Sequence, residues 1–148
     1  MREELELFRD NVRRFVEEEV SPHYAQWENE GIVPRALWNR LGEQGLLCVD
    51  IPESYGGLDA DFLFSVVIME EFARANVGGI GGPMAVHSDI VAHYLLNSGS
   101  EAQRQAYLPR MVSGECVGAV AMTEPGAGSD LQGIRTTAKK DGEHYLIN

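Results

Sequence analysis

The sequence predicts a mainly α-helical domain over residues 1–114, followed by the opening strands of a β domain over 115–148. Three observations predict it. Apolar residues recur at spacings of three and four along most of the chain before Gly114. After Gly114 the composition turns small and β-tolerant, beginning with Cys116 to Met122. Finally, Asp141-Gly142 lies between Thr136-Thr137-Ala138 and His144-Tyr145-Leu146-Ile147, a strong hairpin signal.

The opening stretch reads as a long amphipathic helix through Leu5, Phe8, Val12, Phe15 or Val16, and Val20, with Glu and Arg on its other faces. It either binds a partner or, as expected for most such helices, packs on its own domain. Pro22 bends or restarts it, and Gly31 closes it. Pro34 opens a shorter helix through Leu37, Trp38 and Leu41, ending between Gly42 and Gly45. Leu46 to Ile51 is an apolar run, and Pro52-Glu53-Ser54-Tyr55-Gly56-Gly57 a loop. Phe62 to Ala73 is apolar on nearly every face, which predicts a helix at the domain centre. Glu70 and Glu71 within it point about 100° apart, so the pair reads as two solvated carboxylates. Gly78, Gly79, Gly81, Gly82 and Pro83 predict a break with the potential for close approach, with a helix resuming from Met84 to Leu96. Ser100 with Gln103 forms a capping box that starts the last helix, which ends at Ser113-Gly114. About five or six helices are therefore expected, then strands near 116–122, 134–139 and 143–148.

Composition narrows the function. A net charge of −11 opposes sequence-independent nucleic-acid binding, which needs clustered Lys and Arg, and disfavours anionic membrane surfaces. It does not oppose a small anionic ligand, because a local pocket can counter the global field. No apolar run approaches the ~20 residues that span a membrane. The charged start Met1-Arg2-Glu3-Glu4-Leu5 predicts neither a secretory leader nor a transit peptide. Cys48 and Cys116, far apart, are expected to be buried reduced thiols of a bacterial cytoplasmic protein, a mature mitochondrial matrix form being left open. His87 and His93, six residues apart, do not make a metal pair and are expected to be hydrogen-bonded structural residues, so no metal site is predicted.

Ala121-Met122-Thr123-Glu124-Pro125-Gly126-Ala127-Gly128-Ser129-Asp130 carries the chemistry. A strand runs into Pro125 and then a loop whose glycines let backbone N–H groups approach a phosphate or a ring edge. Thr123 and Ser129 add hydroxyls. The dinucleotide-binding reading fails, because Leu131 stands where the third glycine should be and no βαβ unit surrounds it. On the residues alone, an ordinary glycine turn remains open.

That string, continued by Leu131-Gln132-Gly133-Ile134-Arg135-Thr136, resembles the flavin-binding signature of the acyl-CoA dehydrogenase family. The resemblance covers all 148 residues, including Asp50-Ile51-Pro52-Glu53-Ser54-Tyr55-Gly56-Gly57 and the Glu70-Glu71 helix. It implies a helical amino-terminal domain followed by the first strands of a truncated, β-barrel-like middle domain, with Asn148 expected to be a cut. It also implies FAD. Met122 backbone and the Thr123 hydroxyl would meet the polar edge of the isoalloxazine, and Gly128 and Ser129 the pyrophosphate, Ser129 also touching the pantetheine of CoA. Gly81, Gly82, Met84 and Ala85 would form a small, open acyl-chain wall similar to that of long-chain members. The family's catalytic glutamate lies in a carboxy-terminal helical domain, and Glu124 matches a non-catalytic position, so no catalytic residue is assigned. The implied partners are an acyl-CoA substrate, an electron-transferring flavoprotein and copies of the chain in a tetramer. Two alternatives stand beside it: an acyl-CoA oxidase of the same fold, and a helical binding or assembly fragment without chemistry.

Overall fold

The structure, a computed structural model, describes residues 2–148, and among these five helical rods precede a two-stranded sheet. The first rod, residues 2–30, comprises α1 (Arg2–Phe15), a wide π-turn at Val16–Val20, and α2 (Ser21–Glu30). Pro22 occupies the first turn of α2, where its missing N–H leaves no bond unmade. The helix packs on its own domain. Val12, Phe15, Val16 and Val20 are buried, and Phe8 meets Phe64 with ring centroids 5.0 Å apart.

The second rod, α3 (Arg35–Glu43), buries Leu37, Trp38 and Leu41. The third, α4 (Leu63–Arg74), packs most extensively on α1 and on α5 (Gly78–Ala85). A π-turn at Val86–Val91 joins α5 to α6 (Ala92–Ser98), making the fourth rod, and α7 (Glu101–Val112) is the fifth. The Ser100–Gln103 capping box forms in both directions, with bonds of 3.3 and 2.8 Å. Leu47, Ile51, Phe72, Ile80, Leu108 and Met111 complete a continuous core with Leu41 and the α1 valines. Each such side chain contributes about 1.5–3 kcal/mol by leaving water. Gly114 turns the chain out of α7 at φ 74°, and a Cβ there would lie 2.0 Å from the Trp38 carbonyl oxygen. None of the helices is long and apolar enough to cross a membrane among the described residues.

Four expectations are corrected. The glycine stretch is not a break, because α5 begins at Gly78. Glycine is a poor helix former, but here close packing outweighs propensity. Gly79 N–H donates to the Tyr24 hydroxyl at 3.2 Å, and a Cβ on Gly81 would sit 3.1 Å from Phe72 Cβ. Second, α4 buries Val67, Ile68 and Phe72 but is not buried on every face: Leu63 and Met69 are exposed while Ser65 and Glu71 are buried. Glu71 is not solvated but only 2% exposed, because three arginines surround it. Third, residues 116–122 pair with no strand among the described residues, so the expected first strand is absent from the sheet. Fourth, Cys116 is half-buried rather than buried, although both cysteines are free thiols.

The sheet pairs β1 (Ala138–Asp141) with β2 (His144–Ile147) antiparallel, in the register Asp141↔His144. Gly142 and Glu143 therefore form the turn, one residue later than Asp141-Gly142. Gly142 has φ 60° while Glu143 is not in the left-handed region, as a hairpin turn with glycine first requires. Both strands are exposed along their whole length.

Candidate functional site

Local bonds build the glycine loop. Glu124 N–H donates to Ala127 O at 3.1 Å and Ala127 N–H to Glu124 O at 3.0 Å, closing a tight turn around Pro125-Gly126. Ala127 is its one buried side chain, at 4% exposure. The positions where Gly126 and Gly128 would carry a Cβ open onto free space, so a ligand could approach their backbone. Asp130 accepts from Gln132 N–H and caps the short 3₁₀ turn Leu131–Gly133. Met122, Thr123, Gly128 and Ser129 are exposed. Among the described residues, the backbone N–H groups of these four and the hydroxyls of Thr123 and Ser129 make no hydrogen bond within the protein.

Glu124 is committed to this loop. Its Oε1 accepts Arg135 N–H at 2.6 Å, while Oε2 accepts the Thr136 N–H at 3.1 Å and the Thr136 hydroxyl at 2.6 Å. The Thr136 side chain, then the Arg135 N–H, hold this carboxyl below its ordinary pKa. Glu124→Ala is expected to speed hydrogen exchange at the Arg135 and Thr136 amides, read by mass spectrometry. Because the pKa is depressed, the staple is complete above the ordinary glutamate pKa and weakens as pH falls through the lowered one. Unchanged exchange at both amides would contradict this role.

The predicted acyl wall divides across the rod that carries it. Gly82 faces an apolar groove that it lines with Trp38, Pro83 and Val86, opposite the stretch 117–120. A Cβ on Gly82 would meet nothing within 4 Å. Gly81, Met84 and Ala85 instead line a narrow crevice with Ser65, Ile68 and Asp89. Met122, Thr123, Gly128 and Ser129 line neither, but Met122 follows the groove's Val120 by two residues.

Sequence reading missed what the π-turn Val86–Val91 does. A π-turn widens the helix, and His87 and Ser88, consecutive, are both buried. Ser88 Oγ accepts Cys48 N–H at 3.0 Å, where Cys48 adopts φ 53°. Burial pushes the Cys48 thiol up to about 12, so it stays protonated. Asp89 accepts the Ser65 hydroxyl at 3.0 Å, and burial raises its pKa. His93 meets Asp50 at 2.8 Å, while the other Asp50 oxygen is buried without a hydrogen-bond partner. The signal was present as His87-Ser88-Asp89, three consecutive polar residues in a largely apolar helical stretch. No cluster of three metal-ligating side chains occurs among the described residues.

A helical domain thus runs through the groove-lining stretch 117–120 into an open glycine loop whose donors are uncommitted among the described residues. The chain belongs to the acyl-CoA dehydrogenase family: residues 2–115 match the family described as acyl-CoA dehydrogenase, N-terminal domain. It is 50% identical over 145 residues to the mitochondrial long-chain specific acyl-CoA dehydrogenase of Sus scrofa, covering 98% of this chain and 33% of that protein. The crystal structure of an acyl-CoA dehydrogenase from Geobacillus kaustophilus superposes with a TM-score of 0.94 at 49% identity, covering 100% of this chain and 38% of that one. An acyl-CoA dehydrogenase from Bacillus anthracis complexed with FAD superposes with a TM-score of 0.89 at 36% identity, covering 98% of this chain and 25% of that one. The chain thus spans about a third of the length of the curated relatives it matches.

Proposed function

We propose that this chain forms the acyl-chain and flavin-edge walls of an FAD-dependent acyl-CoA dehydrogenase that converts acyl-CoA thioesters to trans-2-enoyl-CoA. The observation that carries the reading is adjacency. The groove of Trp38, Gly82, Pro83 and Val86 lies against 117–120, and the next residues include Met122 and Thr123, with their donors uncommitted.

The residues present fit FAD. Met122 N–H and the Thr123 hydroxyl would donate to the ring's polar edge, and Gly128 N–H and the Ser129 hydroxyl to the pyrophosphate, with Ser129 also reaching the pantetheine. The open space at Gly126 and Gly128 is what such an approach needs. When bound, FAD supplies the acceptor for the hydride leaving the substrate β-carbon. The groove excludes water from the acyl chain and aligns it, each buried methylene contributing ~0.8 kcal/mol. By its family resemblance the α-proton would go to a glutamate of the carboxy-terminal helical domain, and Glu124, bonded to 135–136, is given no catalytic role. Stabilising the developing enolate requires hydrogen bonds to the thioester carbonyl. Electrons leave for an electron-transferring flavoprotein, and the protein assembles as a tetramer in the bacterial cytoplasm. Division 1–114 and 115–148 separates the helical and β domains.

The substrate is a medium-to-long acyl-CoA. In the full-length protein, Gly82→Phe fills the groove and should move the kcat/KM optimum to shorter chains, by roughly fourfold per excluded methylene. Steady-state kinetics across an acyl-CoA series measures it. An unshifted optimum, or a wild-type preference for butyryl-CoA or a short branched ester, contradicts the assignment of this groove.

A further inference from the structure

We propose that His87 is a positioning residue: it sets the backbone at Gly118 and, through it, the donors at Met122 and Thr123. This rests on the flavin-edge reading of those two residues. His87 is fully buried, and both ring nitrogens are engaged. Nδ1 accepts Gly118 N–H at 2.9 Å, and Nε2 lies 3.1 Å from Met111 O. A carbonyl oxygen can only accept, so Nε2 carries the hydrogen and Nδ1 the lone pair. The two partners together select one neutral tautomer. The Trp38 ring holds the imidazole edge-on, with centroids 5.4 Å apart at 68°.

Gly118 is fitted to this contact. A Cβ there would stand 2.7 Å from Val91 Cγ1 and 2.9 Å from Met111 Cε, so a side chain would lift the backbone off the ring. Among the described residues, hydrogen bonds tie the backbone of this stretch at few points. Cys116 N–H bonds Arg110 O at one end and Glu124 N–H bonds Ala127 O at the other. Between them the bond to His87 is the one backbone hydrogen bond among the described residues, because no strand pairs with 116–122. The π-turn explains how a helix delivers it, and such turns recur at functional positions. Val86, beside His87, lines the acyl groove, so the same turn sets the groove wall and the flavin-edge segment.

A ranking of variants separates positioning from space-filling. In His87→Asn the new side-chain oxygen takes the place of Nδ1, but the smaller residue leaves a void. In His87→Gln the longer side chain fills more volume and replaces Nε2 instead. In the full-length protein, His87→Asn should keep amide exchange at 117–123 and the FAD Kd within about threefold of wild type. His87→Gln should speed that exchange and weaken FAD roughly tenfold, as expected for one unmade buried hydrogen bond. Gly118→Ala, which leaves the histidine in place, should behave like His87→Gln. The proposal would be overturned if His87→Gln outperformed His87→Asn, if the two behaved alike, or if Gly118→Ala kept normal exchange and affinity. So would the expected exchange ranking with equal FAD affinity overturn it. A wild type that binds no FAD would defeat the flavoenzyme reading, while the exchange ranking would still decide whether His87 anchors the 117–123 segment.

Discussion

Glu71→Ala should destabilise the helical domain by about 2–3 kcal/mol at neutral pH, a large loss for a buried charge centre whose partners keep some solvent. Glu71 on α4 accepts from Arg9 Nη1 at 3.0 Å, Arg13 Nε and Nη2 at 3.0 and 3.1 Å, and Arg74 Nε at 3.0 Å. Arg9 and Arg13 come from α1, so one carboxylate joins the two helices. Arg13 above all, with Arg9 and Arg74, overrides the cost of burial and holds the Glu71 pKa down to about 2. A depressed carboxylate stabilises fully above its unfolded pKa and loses that contribution as pH falls through the folded one. The gap between wild type and variant should therefore be complete above about pH 4.5 and close toward pH 2. Urea denaturation across that range measures it. A variant as stable as wild type at neutral pH, or a gap that does not narrow on acidification, would contradict the cage.

The 148-residue chain purified alone should be colourless, inactive and prone to self-association. The loop from Met122 to Ser129 offers a few hydrogen bonds of about 1 kcal/mol each, too little to offset the cost of holding FAD. The hairpin leaves Tyr145, Leu146 and Ile147 66%, 66% and 71% exposed, and its edges unpaired. Such an edge templates pairing between chains. Gel filtration should show apparent size rising with concentration, and Tyr145→Lys with Ile147→Lys should suppress it. A yellow preparation with stoichiometric FAD that reduces a dye with an acyl-CoA would contradict this expectation.

Helices are legible in the sequence where local signals agree with packing. The capping box at Ser100, Pro22 in a first turn and Gly31 as a left-handed cap are all local, and all appear. The glycine run misleads because propensity ignores what sits opposite. Tyr24 and Phe72 need backbone without side chains, and α5 supplies it. Glu71 misleads for a similar reason: its arginines lie at positions 9, 13 and 74, and only the fold converges them. The 116–122 segment has strand composition, but composition does not provide a neighbour. Of the site, the glycine loop is legible from one contiguous string. The division of the proposed acyl wall is not, because adjacent residues Gly81 and Gly82 face different sides of one helix.

Anaerobic titration of the full-length protein with a long-chain acyl-CoA tests the central claim most directly. The flavin's visible absorption should bleach in proportion to substrate added, with trans-2-enoyl-CoA recovered in equal amount, and Thr123→Val should weaken the response. A protein that carries no flavin, or whose flavin is untouched by any acyl-CoA in the series, would contradict it.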